Sequence, residues 1–261
     1  KMRPFLRKIN PEILMLSEYS MYFSVDKGVW DSRWNLEFVR LATEYMQGKF
    51  PESSLWYKIN YEMMNLPRNF ALCQYTSISD HDRPRTIGAE SWAFMAYQLI
   101  QMTSVCAPCI YYGDEVKNER ENGTFYSMEW NESNWDYYRL NNTKALIALR
   151  KQCPAVRLGA FKCLTIDDDR HLLVFPRKDE PSTAITIASR NPYPIEVTVD
   201  TIDLEEPDGT VFTDWLTGMK YTAVKGKINP CVLPGGTVLV KGEKSSDFKD
   251  GFAVTQIGNC V

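Results

Sequence analysis

The sequence ALCQYTSISDHD, residues 71–82, combines an apolar run with three titratable side chains at its end. We predict that residues 71–79 form a buried strand, which Asp80, His81 and Asp82 follow directly. In sheets of parallel strands, chemistry gathers at the carboxyl ends of the strands. A lone histidine is more often structural, whereas one between two aspartates at a strand end is as often functional. The stretch therefore predicts both a parallel sheet and a candidate site at its edge.

The segments on either side of this stretch alternate between short apolar runs and helical spacing. Further strands are predicted at 13–16 and 109–112, and helices at 35–47, 55–66, 89–104 and 144–151. Strand and helix in this rhythm indicate an α/β fold, in which helices cover a parallel sheet. Carboxylates follow the outer strands too, with Glu18 after the first and Asp114 and Glu115 after the last.

After Pro154 the pattern changes to short alternating runs separated by turn-forming residues. Strands are predicted at 171–175, 184–188, 195–199 and 237–240. Short strands at this spacing favour an antiparallel β-sandwich. The predicted fold class is thus α/β followed by all-β. We place the boundary near residues 154–159, which divides the chain into 1–155 and 156–261.

Composition excludes two classes of partner. The net charge of −3 argues against nucleic acid, because a phosphate backbone requires a basic surface. No apolar run reaches the about 18 residues of a membrane span. Cys106 and Cys109 form a lone C-x-x-C among apolar neighbours, which favours buried free thiols over a metal or redox site. Aromatic residues make up 13%, and composition alone cannot separate core packing from a sugar-binding cleft. The compartment is not determined, with an extracellular or periplasmic one slightly favoured.

Six segments resemble, in order, segments of the α-amylase family, glycoside hydrolase family 13. They are LMLSEY (14–19), SDHDRPR (79–85), IYYGDE (110–115), MEW (128–130), LIALRKQCP (146–154) and DWLTG (214–218). The resemblance implies a partial (β/α)8 TIM barrel, strands five to eight, followed by a C-terminal antiparallel β-sandwich. It also implies a retaining glycoside hydrolase or transglycosylase that acts on α-glucosidic bonds of starch-like glucans or maltooligosaccharides.

The same resemblance assigns roles to individual side chains. Glu18 matches the general acid/base, which protonates the leaving glycosidic oxygen and then activates water. Asp82 matches the third carboxylate, which binds hydroxyls of the sugar at the scissile bond. Further substrate contacts are implied at Tyr19, His81, Arg85 and Glu115, and Arg85 also matches a basic residue that pairs with nearby carboxylates.

One catalytic group of this family has no match in the chain. A retaining mechanism needs a carboxylate nucleophile about 5–5.5 Å from the acid, which the family places on an Asp at the end of strand four. The residues before Glu18 contain no Asp. We therefore expect the chain to be part of a longer enzyme, inactive by itself, whose partner is the N-terminal half of the barrel. Calcium sites are expected in that missing half, and no metal or other cofactor is predicted within this chain.

Two departures from the family pattern and two other functions stay open. Ser17 stands where the family has Gly, and Asp80 where it has Asn. Asp80 adds a carboxylate that either acts on His81 or is compensated by Arg83 or Arg85. A non-catalytic relative, such as the heavy chain of an amino-acid transporter, is the alternative function, and retention of Glu18 and Asp82 favours the enzyme. The β domain could also bind sugar, although a packing role is preferred.

Overall fold

The computed structural model describes residues 2–18, 28–83, 85, 89–118 and 127–242. Its α-helices are Met2–Ile9 (α1), Leu36–Met46 (α2), Glu52–Met64 (α3), Arg68–Cys73 (α4), Ser91–Thr103 (α5), Tyr137–Gln152 (α6) and Pro154–Leu158 (α7). Short 3-10 helices span Asp114–Val116, Glu132–Asn134 and Ile202–Leu204. Within these ranges, every helix is too short or too polar to cross a bilayer.

Four short parallel strands form the sheet of the first part. They are Leu16–Ser17 (β1), Ser32–Arg33 (β2), Tyr75–Thr76 (β3) and Ala107–Pro108 (β4). β1 pairs with β2 and β3 pairs with β4, each in parallel. A parallel bridge between Trp34 and Tyr75 connects the two pairs. The strands therefore follow one another in chain order, with their carboxyl ends at one edge.

The predicted strands of this part were wrong in extent, and one was missed. Residues 71–73, predicted as strand, belong to α4 instead, since Phe70 and Ala71 pack there with Leu66 and Val105. A short buried apolar run suits a helix as well as a strand. The run at 109–112 lies beyond β4 and leads into the turn at Gly113, whose φ of +87° suits glycine. β2 was missed because Ser32 and Arg33 are polar, although both are buried.

The helices agree more closely with prediction, because their ends are set by local capping. The Asn35 side chain accepts a hydrogen bond from the Phe38 N–H and begins α2. Asp136 accepts from the Arg139 N–H and caps α6, which begins at Tyr137, seven residues before the predicted start at Lys144. The apolar spacing predicted only the second half of α6, whose side chains pack in the core.

The second part of the chain is built on antiparallel strands. They are Ala160–Phe161 (β5), Thr165–Asp167 (β6), Leu172–Asp179 (β7), Ser182–Ser189 (β8), Ile195–Glu196 (β9), Val199–Asp200 (β10), Val211–Asp214 (β11), Lys220–Thr222 (β12), Lys227–Ile228 (β13), Cys231–Val232 (β14) and Thr237–Lys241 (β15). One sheet has the order β12-β11-β15-β8-β7-β5, with β6 also on β7. Two smaller antiparallel pairs are β9 with β14 and β10 with β13.

The large sheet is buried on both faces. Along β7, Leu173 and Phe175 belong to one apolar cluster, which includes residues of α5 and α6. Leu172 and Val174 belong to a second cluster, which includes residues of the small strand pairs. Alternate side chains of a strand point to opposite faces. The sheet is thus the middle layer between the helices and the small strand pairs.

Buried polar contacts join the sheet to the helices. The Trp215 indole N–H donates to the Ala145 carbonyl of α6 at 2.8 Å. The fully buried Arg177 donates to the Thr103 carbonyl at the end of α5 at 2.6 Å and to the Gly159 carbonyl. A cation is favoured there by the helix dipole. Among the described residues the last α-helix ends at Leu158, and the division into 1–155 and 156–261 stays a prediction.

Candidate active site

The candidate site lies at the carboxyl ends of the four parallel strands. The Trp34 N–H donates to the Ser17 carbonyl at 2.8 Å, which ties the end of β2 to the end of β1. The Asn35 N–H donates to the Tyr75 carbonyl at 2.7 Å, which ties β2 to β3. Because the strands are parallel, the residues that follow them emerge at the same edge.

Glu18 directly follows β1 and is exposed. Its neighbour Ser17 is buried and pairs in register with Arg33 of β2. The backbone that presents Glu18 is therefore held by the sheet, while the carboxylate is open to a ligand. β2 lies between β1 and β3, so Glu18 and Asp82 extend from alternate strands of the sheet.

The segment after β3 is a turn organised by Asp80. One oxygen of its buried carboxylate accepts from the N–H groups of Asp82 at 3.0 Å and Arg83 at 2.9 Å. The other oxygen binds the Arg83 guanidinium. Arg83 therefore pairs with the additional carboxylate at position 80, which is one of the alternatives that the sequence left open. A side chain that bonds to the backbone two and three residues ahead fixes the direction of the turn.

His81 and Asp82 stand side by side on this turn. Nε2 of His81 lies 3.3 Å from Oδ1 of Asp82, and their side chains are 41% and 58% exposed. The Trp34 ring lies 5.8 Å from the His81 ring, centroid to centroid, and 5.4 Å from the Tyr75 ring in an edge-on contact. Trp34 thus packs between β3 and the turn, while His81 and Asp82 keep polar atoms accessible.

Arg85, predicted as a substrate contact, is buried beneath the surface. Its guanidinium binds the Asp114 carboxylate at 3.0 Å and the Tyr112 carbonyl. The guanidinium carbon also lies 4.6 Å from the Tyr111 ring centroid and 4.9 Å from that of Tyr112. Burial raises the pKa of Asp114 to about 7, although Arg85 opposes the rise. Arg85 therefore joins the turn after β3 to the segment after β4.

Of the other two predicted substrate contacts, the structure describes only Glu115. Glu115 is half-buried beside Asp114, and one of its carboxylate oxygens is buried without a hydrogen-bond partner among the described atoms. Such an oxygen could accept a bond from a ligand hydroxyl. Tyr19 lies outside the described residues.

Among the described residues, neither cysteine nor metal chemistry is indicated at this edge. Cys106 and Cys109 are free thiols, the first buried and the second half-buried. Across the described ranges, no three His, Cys, Asp or Glu side chains converge in a way that could hold a metal ion. The expectation that the chain binds no metal or cofactor stays a prediction.

Sequence reasoning missed two residues of this site. Trp34 was passed over because its strand is too short and polar to show a period. Its position directly before the Asn35 cap was the available signal, since a strand end meets a helix start there. Asp114 was noted only as a strand-end carboxylate, and its pairing with Arg85 joins residues 29 positions apart. No local pattern encodes such a contact.

Curated proteins that share sequence with this chain include two cyclomaltodextrinases. The cyclomaltodextrinase of Geobacillus thermopakistaniensis is 28% identical over 187 residues, which cover 70% of this chain and 31% of that protein. A cyclomaltodextrinase from a Bacillus species is 23% identical over 199 residues, which cover 72% of this chain and 35% of that protein. The chain thus spans about a third of the length of the curated relatives that it matches. No family model matches it.

The fold is found in solved structures as well. A cyclomaltodextrinase structure matches with a TM-score of 0.81 at 18% identity, covering 92% of this chain and 42% of that one. At such identity the match shows the fold alone. The match extends over nearly the whole chain. Both structures therefore share the same architecture, in which helices and parallel strands are followed by an antiparallel sheet.

Proposed function

We propose that the chain is a member of the α-amylase family, whose C-terminal part it resembles, and that it is part of a retaining glycosidase or transglycosylase. Its substrates are α-glucosidic bonds of starch-like glucans or maltooligosaccharides. β1 to β4 serve as strands five to eight of a (β/α)8 barrel, and the antiparallel sheet is the C-terminal β domain. The observation that supports the proposal is that Glu18, His81 and Asp82 follow strands whose carboxyl ends lie at one edge of the sheet. Trp34 connects these strand ends through its contacts.

Glu18 is the general acid/base in this proposal. The carboxyl group donates its proton to the leaving oxygen and, once ionised, takes a proton from the attacking water. That role needs a side chain that is exposed to substrate on a rigid backbone. The pairing of Ser17 with β2, together with the exposure of Glu18, supports it.

His81 and Asp82 bind hydroxyls of the sugar at the scissile bond. Both keep polar atoms exposed, and the turn that carries them is fixed by Asp80. Preorganised acceptors that strengthen their hydrogen bonds as the sugar ring flattens lower the barrier. We revise the role of Arg85 from direct contact to support, since its guanidinium is occupied by Asp114 beneath the turn. Glu115 and Tyr19 remain proposed contacts.

The nucleophile is supplied by polypeptide outside these residues. The retaining mechanism requires a second carboxylate about 5–5.5 Å from the acid, and no Asp precedes Glu18 in this chain. Residues 1–261 by themselves are then expected not to hydrolyse substrate. The N-terminal half of a barrel is the partner that would bring the missing carboxylate.

A fusion protein tests the assignment of Glu18. The N-terminal part of the Geobacillus cyclomaltodextrinase is joined upstream of this chain, and maltoheptaose hydrolysis is measured with folding checked by circular dichroism. We expect hydrolysis by the fusion and none by the chain alone. Glu18→Gln should lower kcat by about a thousandfold, whereas the exposed Glu12→Gln should leave it unchanged.

Several outcomes would refute the proposal. Hydrolysis by the chain alone would show that the nucleophile lies within it. A folded, active fusion that tolerates Glu18→Gln would remove the acid/base role. A folded fusion that binds maltoheptaose but never hydrolyses it would favour the non-catalytic alternative.

A further inference from the structure

Two tyrosines on α3 stand side by side in solvent. Tyr57 and Tyr61 are four residues apart, so helical geometry places them on the same face. Their rings are 6.1 Å apart, centroid to centroid, and inclined by only 28°. They are 68% and 52% exposed. The pair therefore presents two nearly parallel aromatic faces at the surface.

A solvent-open cavity of about 530 Å³ adjoins the pair. Besides the two tyrosines, its lining contains Arg33, Asn35, Glu37, Lys58 and Glu62. The Lys58 ammonium lies 3.8 Å from the Glu37 carboxylate, and the Arg33 guanidinium binds the Glu62 carboxylate. The charged groups are thus held in place by one another. A volume of this size suits a small ligand.

This cavity is separate from the strand-end site. Successive side chains of a strand point to opposite faces. Arg33 reaches Glu62 of α3, on the helix side, whereas Trp34 contacts His81 on the other side. A ligand in the cavity would therefore lie against the outer helices, away from Glu18 and Asp82.

We propose that Tyr57, Tyr61 and the adjoining cavity form a second binding site for an α-glucan chain. The proposal rests on the proposed function, which supplies the class of ligand. The C–H bonds on a pyranose face present a partial positive charge to the negative face of an aromatic ring. Hydroxyl groups at the sugar edge can hydrogen-bond with the carboxylates of Glu37 and Glu62 and with the Lys58 ammonium.

Other classes of ligand fit this surface less well. Carboxylates balance cations in the lining, so a nucleic acid would meet no net positive charge. A stable protein interface buries about 800 Å² on each partner around an apolar centre. Here the tyrosines adjoin charged groups instead. Flat rings beside paired polar groups match the alternating apolar faces and polar edges of a glucan.

Binding by the purified 261-residue chain tests the inference. Maltoheptaose is titrated into the chain by calorimetry, and mobility is compared in native gels with and without soluble starch. Tyr57→Ala and Tyr61→Ala should each raise Kd by about tenfold, and both side chains are exposed enough to leave folding intact. Tyr193→Ala is the matched control, since Tyr193 is 73% exposed on the β domain and its loss should change nothing.

His81→Ala separates this site from the proposed catalytic one. Binding lost with His81→Ala but kept in both α3 variants would overturn the second site and support the strand-end site. A folded chain that binds no maltoheptaose or starch would also overturn it, without deciding the catalytic proposal, which the fusion protein tests. Sedimentation adds one further outcome: a dimer that Tyr57→Ala dissociates would make the tyrosine pair a contact between copies and refute the proposal.

Discussion

The indole ring of Trp34 lies 5.8 Å from the imidazole ring of His81, although 47 positions separate them in the chain. Trp34 follows β2, whose backbone is bonded to β1, while His81 belongs to the turn after β3. This contact therefore connects the strand that carries Glu18, through β2, to the turn that carries Asp82. Packing against a half-buried indole also limits the positions open to the imidazole.

Trp34→Ala should loosen the turn after β3. Removing the ring leaves a gap between Tyr75 and His81, and we expect the free energy of unfolding to fall by about 2 kcal/mol. Urea unfolding measures that loss, and NMR reports the turn itself, because the His81 ring protons lose the ring-current shift of the indole. Trp130→Ala, at a residue 77% exposed, is the control. Unchanged His81 resonances in Trp34→Ala would contradict the contact.

Substitutions at Asp80 should separate its backbone bonds from its ion pair. Asp80→Asn keeps an oxygen for the N–H groups of Asp82 and Arg83 and loses only the ion pair with the part-exposed Arg83. We expect it to lower stability by less than about 1 kcal/mol. Asp80→Ala leaves both N–H groups without their acceptor and should lower stability by about 2 to 3 kcal/mol. Equal losses in urea unfolding would show that the ion pair matters more than the turn.

Asp114 should make the protein less stable as pH rises from about 4 to 7. Burial raises its pKa from 3.8 to about 7 in the folded state. Between these values the folded state keeps a proton that the unfolded state releases, so stability falls with rising pH and levels off above pH 7. The slope contributed by this one group is at most about 1.4 kcal/mol per pH unit.

The variant Asp114→Asn isolates that contribution. Urea unfolding at pH 4.5, 6 and 7.5 should show a smaller fall in stability over this interval than in the unmodified chain. Asp169→Asn, at an exposed carboxylate, should leave the pH profile unchanged. The same profile with and without Asp114 would mean that its carboxyl group ionises normally despite burial.

The Glu52–Arg190 pair should be a major part of the junction between α3 and the large sheet. Nε of Arg190 donates to Glu52 at 2.7 Å, and the two side chains are 5% and 0% exposed. Glu52→Ala or Arg190→Ala leaves the other charge buried, which should lower stability by about 3 to 5 kcal/mol. The double variant should lose less than the sum.

A surface ion pair provides the comparison for the Glu52–Arg190 double-mutant cycle. Arg40 and Glu44 of α2 are 46% and 42% exposed at 3.3 Å, and their coupling should stay below about 0.5 kcal/mol. Urea unfolding of all single and double variants gives both coupling energies. A Glu52–Arg190 coupling as small as that of the surface pair would show that solvent reaches the junction.

The helices and the long antiparallel strands could be predicted from sequence, because their signals are local. Apolar spacing indicated the helices that cover the parallel strands, and alternating runs located β7 and β8 to within a few residues. The four parallel strands could not be predicted in extent. Each has two residues, and their pairing depends on partners far along the chain. Residues 71–73 became helix because packing around Phe70 outweighed an ambiguous apolar pattern.

For the candidate site, the sequence by itself determined which residues are candidates for the chemistry: carboxylates and a histidine placed directly after short apolar runs. Only the tertiary structure decided which of them face solvent and which serve as support. Glu18 and Asp82 are exposed, whereas Arg85 is buried on Asp114 and Asp80 is used by its own turn. Residue order sets the order of strand ends, but burial and pairing depend on contacts between segments dozens of residues apart, and no local pattern contains those.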